Sequence, residues 1–409
     1  YIKTALKVLA RRKFFTFVSL FGITLTLVVL VIATAILDNA FSPRAPESRF
    51  DRALVVYTIG IYGPNGGMTG GPGYKFVDRY VRGLEGAEEV TVFSVYDRAV
   101  IYGKSAKIET RIKRTDGAYW RVMDFTFVEG GPFTQADDDE ARPVAVITTE
   151  MREKLFGGAR AVGKTFEVNG QTFRVTGVVE AVPFVRFAAY SDIWIPIGTT
   201  RDARYREQLG GQFNAVVLAR DRDDFPRLRA AFQQRLAGFV FDDPRNENEV
   251  KAGLDTPFEA FARSMYGRDM NDERTTILRV GFAVSALLFA LLPAINLVSI
   301  NLSRIMERAA EIGVRKAFGA SARTLVGQFV VENIVLTLIG GAIGFVLAVA
   351  ALKGFEAMAF LPHARFEVDL VVFLYGMLLA ALFGIVSGVY PAWRMARMHP
   401  VNALRGGAS

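Results

Sequence analysis

Residues 14–37 read FFTFVSLFGITLTLVVLVIATAIL, an unbroken run of 24 residues without a charge or a proline. A helix rises about 1.5 Å per residue, so this run reaches about 36 Å, against about 30 Å of hydrocarbon in a bilayer. It is long enough to span with some tilt. The alternative is a secretory leader, because Ala33-Thr34-Ala35 resembles a small-residue cleavage site after a basic start. Leader cores run to roughly 7–15 residues, so the segment is read as a retained anchor. Tyr1 stands where an initiator methionine is expected, which points to a start lying upstream.

Working outward, three more apolar runs occupy residues 280–302, 333–352 and 370–393. Half of the 409 residues are apolar and the formal charge is +8, a combination that suits a membrane protein carrying a polar domain better than a soluble enzyme. The charge is placed unevenly. Residues 1–13 carry five basic side chains and no acid, and residues 303–323 and 394–409 are also basic on balance. Residues 353–369 have no basic excess. Basic flanks stay on the cytoplasmic side.

The expected fold is therefore an α-helical membrane protein with four transmembrane helices, plus a large extracytoplasmic α+β domain inserted between the first and second. Expected boundaries are a basic N-terminal helix at 1–13, helices at 14–37, 277–302, 324–352 and 370–393, and the inserted domain at 38–276. A cytoplasmic segment at 303–323, a short external loop at 353–369 and a cytoplasmic tail at 394–409 complete the chain. This places a multi-pass protein in a bacterial inner membrane with both termini cytoplasmic and the large domain periplasmic.

Several enzyme classes lack material. There is no cysteine, so disulfides and thiolate metal sites are excluded, and the two histidines, His363 and His399, have no ligand cluster around them. No acid–base pair in residues 38–276 stands out. No catalytic, metal-ligating or cofactor-binding residue is assigned, and nucleic acid is not an expected partner. One motif points the other way: Gly158-Ala159-Arg160-Ala161-Val162-Gly163-Lys164-Thr165 fits G-x-x-x-x-G-K-[ST]. A phosphate loop needs a strand before it and a helix after it. Here VAVITTEMREKLFGG reads as a strand, a helix capped by Thr149 and a stop at Gly157-Gly158. KTFEVNGQTFRVTGVV then reads as a hairpin turning at Asn169-Gly170. Lys164 would open a strand, so the match is read as structural.

Elsewhere in the inserted domain, Asp224-Phe225-Pro226 begins a helix with an apolar stripe of Leu228, Phe232 and Leu236. Residues 60–73, GIYGPNGGMTGGPG, are expected to form a mobile loop, and residues 137–140, DDDE, a solvated turn. The aromatic segment at 182–197 reads as core packing in preference to a substrate cleft.

The most specific information lies in the last third. The block Glu311-Ile312-Gly313-Val314-Arg315-Lys316 is followed by Gly319-Ala320-Ser321, Gln328, Glu332, Gly340, Gly341 and Gly344, with Asn296 and Leu297 before it. Tyr390-Pro391-Ala392-Trp393-Arg394 and Pro400-Val401-Asn402-Ala403-Leu404-Arg405 close the chain. This pattern resembles the MacB/FtsX-type permeases of ATP-binding cassette (ABC) systems, a family that includes lipoprotein-releasing permeases. The residues independently support a helix over 303–318, through the spacings Arg304/Glu307, Arg308/Glu311 and Glu311/Arg315, with Gly319 as its stop and Ser321 capping the next helix.

The resemblance implies that Glu307, Arg308, Glu311, Ile312, Gly313, Val314, Arg315, Lys316 and Gly319 dock an ABC ATPase. Gly313 allows close approach there, though glycine inside a helix costs about 1 kcal/mol relative to alanine. The ATPase would hold ATP and magnesium, with no cofactor in this chain. The implied partners are those ATPase subunits, a second permease copy as a homodimer or heterodimer, membrane lipids and, on the outer side, a periplasmic adaptor and outer-membrane exit duct. The function implied is a mechanical relay from the ATPase to the periplasmic domain for export or extraction of substrate. The alternatives are a regulator of cell-wall hydrolases and a membrane-anchored sensor or binding module. Gly340 with Gly344, and Gly384 with Gly388, have the small-xxx-small spacing of closely packed helices, within one subunit or across a dimer. Glu332 reads as a structural or coupling residue able to face water, protein or Arg323.

Overall fold

A computed structural model describes residues 9–11, 13–102, 107–266, 276–278, 321–358 and 368–378, with short runs among 280–288 and 366–385. The chain divides into two compact units: residues 40–278 with 361–364, and residues 1–39 with 279–360 and 365–409. We call them the inserted domain and the helical unit.

The inserted domain is built on thirteen described strands. In chain order they are β1 (Ala53–Val56), β2 (Ile59–Gly63), β3 (Gly66–Gly70), β4 (Glu89–Ser94), β5 (Asp97–Tyr102), β6 (Lys107–Thr115) and β7 (Phe127–Gly130). Then come β8 (Val144–Thr148), β9 (Thr165–Val168), β10 (Gln171–Val179), β11 (Ile193–Pro196), β12 (Phe213–Leu218) and β13 (Glu249–Ala252). A mixed sheet runs β1-β12-β4-β6-β11-β8-β10-β7, with β5 paired to β6 and β9 to β10; β13, β2 and β3 form a second sheet. Most pairs are antiparallel, but β8/β10 and β6/β11 are parallel.

Strands β1, β8, β11 and β12 are buried at every residue because both faces of the sheet are covered. On one face Leu54, Val56, Ala215 and Val217 pack with Leu228, Phe232 and Leu236. Those three lie on the helix Phe225–Ala237, so the stripe read from sequence is core. On the other face Ala53, Val55, Val216 and Leu218 meet Phe93, Tyr119 and Trp194. Each fully buried side chain of this size contributes about 1.5–3 kcal/mol relative to exposure.

The GARAVGKT segment has the structure of a helix stop and a hairpin. β8 leads into the helix Thr149–Phe156, which ends at Gly157 in the left-handed region with φ of 60°. β9 begins at Thr165 and turns into β10 through Asn169 and Gly170, whose φ angles are 52° and 67°. The Lys164 ammonium sits 5.2 Å from the centre of the Phe156 ring, turned back on the preceding helix. One detail of the sequence reading is corrected. The cap is Thr148, not Thr149: its backbone is extended and its Oγ1 accepts from Met151 N at 3.2 Å.

Two further expectations are overturned. Residues 60–73 are not a mobile loop, because 59–63 and 66–70 pair as an antiparallel hairpin, extended by β13. Its glycines reflect crowding. A Cβ on Gly63 would collide with the carbonyl oxygen of Asn246, and one on Gly67 with the Tyr62 ring. Nor are residues 137–140 a solvated turn. Gln135–Asp139 is a short helix held by a capping box between Thr134 and Asp137, and Asp138 is buried, accepting from Gly198 N at 2.7 Å. The 182–197 segment divides: Ile193–Pro196 is an interior strand carrying buried Trp194, whereas Phe184 and Phe187 are exposed.

In the helical unit two described helices are long and apolar enough to cross a membrane, over Thr16–Asn39 and Val330–Ala357. The first belongs to α1 (Lys13–Phe41) and the second to α2 (Ala322–Ala357). α1 is apolar all round. Ile23, Leu27, Val31 and Ala35 face the interior with Leu336, Ala348 and Leu352, while Phe14, Phe17, Phe21 and Leu25 are exposed. A helix with apolar residues on its outer face suits lipid, not water. Two of its hydroxyls are satisfied on its own backbone, Thr26 Oγ1 donating to Gly22 O at 3.0 Å and Thr34 Oγ1 to Leu30 O at 2.8 Å. Residues 370–378 are also helical, following Asp369, whose Oδ1 accepts from Val371 N at 2.8 Å.

Gly340 and Gly344 pack within the chain. A Cβ on Gly340 would lie 2.9 Å from Ile23 Cγ2, and one on Gly344 would lie 3.3 Å from Leu27 Cβ. The close approach lets Thr24 Oγ1 donate to Gly340 O at 3.1 Å. Glu332 is buried and accepts from Gln328 Nε2 at 3.1 Å, so it does not face water.

Gly340→Leu should separate α1 from α2 and lower stability in detergent by about 1–3 kcal/mol. Gly327→Ala, with open space around it, should be neutral or stabilising; thermal melting of both variants checks the contrast. Gly63→Ala should similarly lower the melting temperature of the inserted domain, whereas Gly70→Ala, which meets nothing within 4 Å, should leave it unchanged.

Candidate functional site

The residues expected to dock an ATPase, Glu307, Arg308, Glu311, Ile312, Gly313, Val314, Arg315, Lys316 and Gly319, lie outside the described residues. So do Gly384 and Gly388. What the structure does describe is the residue that follows them. Ser321 caps α2, its Oγ accepting from Thr324 N at 3.2 Å, as its position before the helix led us to expect. Among the described residues, the best-defined constellation near a helix end is the one where the chain leaves α1 and enters the inserted domain.

That passage is built from three pieces. α1 ends at Phe41, whose ring packs edge-on against Phe258 and Phe261 at 5.5 and 5.3 Å between ring centres. Those two residues lie on the helix Pro257–Tyr266, the last described element of the inserted domain before residue 276. The segment before this helix is tied to the main sheet. Val55 N donates to Asp255 O at 2.6 Å, and the Arg263 guanidinium forms a two-pronged pair with the Asp255 carboxylate at 2.7 and 2.8 Å. The first and last segments of the domain are therefore held against each other and against β1.

The third piece is the loop at 183–190. Arg186 Nη1 donates to the carbonyl of Ser42 at 2.5 Å, and its guanidinium lies 3.6 Å from Glu47. Glu47 Oε1 also accepts from Ala189 N at 3.1 Å. From the sheet side, Lys113 Nζ donates to Phe187 O at 2.8 Å and Ala188 O at 2.6 Å, and Tyr119 Oη donates to Ala188 O at 2.9 Å. Glu47, Lys113 and Arg186 are all buried. Burial pushes the Glu47 carboxyl up, against the pull of Arg186, and pushes the Lys113 ammonium down to about 7, against the attraction of Glu47.

This arrangement clasps. It offers no bound substrate a route to the Lys113 ammonium, which is spent on two carbonyls and covered by the Phe93 ring at 4.9 Å. A cavity of about 300 Å³ elsewhere in the domain is lined by Tyr74, Asp78, Arg82, Asp138, Tyr205 and Arg206. Its charges answer one another: Arg82 Nε lies 3.1 Å from Asp78, and the Arg206 guanidinium stacks over Tyr205. Behind it Asp116, buried and pushed up to about 6 by desolvation, accepts from Thr91 Oγ1 at 2.7 Å and Tyr119 N at 3.0 Å. Among the described residues no group of three or more histidines or carboxylates is placed to hold a metal ion.

Sequence reasoning missed the clasp. Lys113 sits in KIETRIKRT, where nothing distinguishes it from the other charges beside it, and Glu47, Phe187 and Ala188 are 66 or more residues distant in sequence. The titration of Lys113 gives a check. Its proton is lost near pH 7 in the folded chain and near its ordinary value of 10.5 in the unfolded one. The Lys113 contribution to stability should therefore rise with pH from about 7 towards 9, on the order of 2 kcal/mol, and be level below 7. Lys113→Met should remove that component from denaturation curves recorded at pH 6.5 to 9; an unchanged slope would refute the assignment.

Comparisons with known proteins identify the family. A model of the MacB-like periplasmic core domain matches residues 16–235, over half the chain, and one of the FtsX-like permease C-terminal region matches residues 283–400. The MacB macrolide export ATP-binding/permease protein of Nitrobacter winogradskyi is 25% identical over 94% of this chain and 58% of its own length. The ABC transporter permease YknZ of Bacillus subtilis is 24% identical over 81% of this chain and 79% of its own. The periplasmic region of MacB from Actinobacillus actinomycetemcomitans aligns with a TM-score of 0.34 and 15% identity, over 52% of this chain and 94% of that one. The chain spans about half the length of the MacB relatives it matches. With both its inserted domain and its C-terminal third matched, this chain belongs to the MacB/FtsX family of ABC transporter permeases.

Proposed function

We propose that this chain is the four-span permease subunit of an ABC system. It would relay ATP binding and hydrolysis, carried out by an ABC ATPase docked on residues 303–323, to the inserted domain. The observation that carries the proposal is the clasp at Ser42. α1 runs into the inserted domain without a break, and the carbonyl just past its end is gripped by buried Arg186. A helix whose continuation is gripped in this way can pass on a displacement. It does not need to bind anything itself.

The remaining assignments follow from the charges and the family. The basic segments at 1–13, 303–323 and 394–409 favour both termini and the docking segment in the cytoplasm of a bacterial inner membrane, with the inserted domain periplasmic. ATP and magnesium are assigned to the ATPase; the helix stop and hairpin at the GARAVGKT segment support that reading. The permease acts as a homodimer or heterodimer, with an adaptor and an exit duct as candidate outer partners. The MacB relatives are named as macrolide exporters, so export or extraction of amphipathic molecules on the outer side is the substrate class to test first.

Exchanging charges at the docking segment, with Glu311→Arg and Arg315→Glu together, should reduce co-purification of a co-expressed ABC ATPase at least tenfold, about 1.4 kcal/mol of association free energy. Membrane insertion should be unaffected. Undiminished co-purification would remove the docking assignment.

A further inference from the structure

We propose that the cavity of about 300 Å³ in the inserted domain binds a small zwitterion of the α-amino acid type, its ammonium held at Asp138 and Asp139 and its carboxylate at Arg206.

The walls of the cavity are set by the fold of this domain. The short helix Gln135–Asp139 is fixed by its capping box, and the turn Ile197–Thr199 lies so close to it that a Cβ on Gly198 would collide with the carbonyl oxygen of Asp138. Gly73 N donates to Leu209 O at 2.6 Å, which ties the start of the Tyr74 segment to the chain just past Tyr205 and Arg206. The Tyr74 and Tyr205 rings then meet edge-on, 5.2 Å between centres. Small-molecule sites are commonly formed in advance in this way. At about 30 Å³ for each water molecule, the volume equals that of about ten waters, which suits a molecule of amino-acid size.

The charges around the cavity are unevenly matched. Arg82 is bracketed by Asp78 at 3.1 Å and Asp116 at 3.6 Å. Asp138 is only 8% exposed; its Oδ1 accepts from Gly198 N, and its Oδ2 lies 3.4 Å from Gln135 Nε2. The same Nε2 donates to Asp139 Oδ1 at 2.9 Å. Two carboxylates thus share one neutral amide, and among the described residues neither is ion-paired. Burial pushes the Asp138 carboxyl up. An ammonium group brings three donors and the charge that the amide lacks.

Arg206 is the opposite pole. It is exposed, its Nε donates to Tyr205 Oη at 3.0 Å, and its guanidinium stacks over the Tyr205 ring at 5.4 Å. That contact aligns the group while leaving its terminal N–H fork to meet a carboxylate. Tyr205 does most to raise the Arg206 pKa, and Asp138 adds a smaller push in the same direction. Asp138 and Arg206 therefore sense each other without touching, because each is tied back to its own wall. A molecule carrying both charges bridges them. An amine alone would leave the Arg206 fork unused, and an acid alone would face two carboxylates.

The full chain, in a neutral maltoside detergent at pH 7, is titrated calorimetrically with L-leucine and with L-glutamine, one apolar and one polar in its side chain. Leucinamide, which keeps the ammonium, and 4-methylpentanoate, which keeps the carboxylate, are the single-charge references. At least one amino acid should bind, with both references at least tenfold weaker. Asp138→Asn keeps an acceptor for Gly198 N and removes the charge, and Arg206→Gln removes the other pole. Each should weaken amino acid binding at least tenfold, whereas Glu167→Gln, exposed on β9, should leave it unchanged. Should Asp138→Asn misfold, Asp139→Asn at an exposed position gives the same reading. Leucinamide binding as well as the amino acids would make this a plain cation site, and 4-methylpentanoate doing so a plain anion site; either overturns the zwitterion. No binding of either amino acid at millimolar concentration, or binding that survives both Asp139→Asn and Arg206→Gln, also overturns it.

Discussion

The carbonyl of Ser42 lies just beyond the last turn of a helix that has come through an apolar run of 24 residues, and it accepts a hydrogen bond from a buried guanidinium. A helix leaves its final carbonyls without intrahelical partners, and its C-terminal end carries partial negative charge. In open solvent, water would satisfy both needs. Here Arg186 does so from inside the domain, and Glu47 balances its charge. An isolated buried ion pair is weak support for stability, because desolvation consumes most of the attraction. This one also engages backbone groups of two separate segments, Ser42 O and Ala189 N. Removing one partner would leave a buried charge unanswered at the start of the inserted domain.

The large sheet depends on that fixed point. β1 begins eleven residues after Ser42 and is buried on both faces, so its register places Leu54 and Val56 in one core and Ala53 and Val55 in the other. A slip by one residue would exchange the two sets. The tie between Asp255 and Val55 then returns the end of the domain to the strand on which it started. The two connections of the domain share one strand, so neither can move alone without breaking ladder bonds.

How much of this was legible in the sequence depends on whether the signal was local. The span at 14–37, the stop at Gly157, the turn at Asn169-Gly170, the cap at Ser321 and the stripe on Phe225–Ala237 are all written within a few residues, and the structure has each of them. The glycines of 60–73 misled because glycine is favoured both where a chain must be free and where another chain comes too close for a side chain. Asn246, which decides the case at Gly63, is 183 residues away. Asp138 misled for the same reason: in DDDE it looks like its neighbours, and only the amide of Gly198 sets it apart. The clasp of Glu47, Lys113 and Arg186 joins three distant segments and could not be read from any one of them. The docking segment was the sharpest motif in the sequence, and it lies outside the described residues.

α2 is a single helix of 36 residues from its Ser321 cap to Ala357. At about 1.5 Å per residue it is a rod of about 54 Å. Rods convert angle into distance. A tilt of about 5° about its midpoint moves each end through about 2.4 Å, roughly half a turn of a neighbouring helix. The glycine contacts at 340 and 344 sit near the middle of that rod, where Thr24 and Ile23 would act as a fulcrum. The two arms on either side of such a fulcrum are nearly equal, so a push at one end returns at the other with its direction reversed and its amplitude kept.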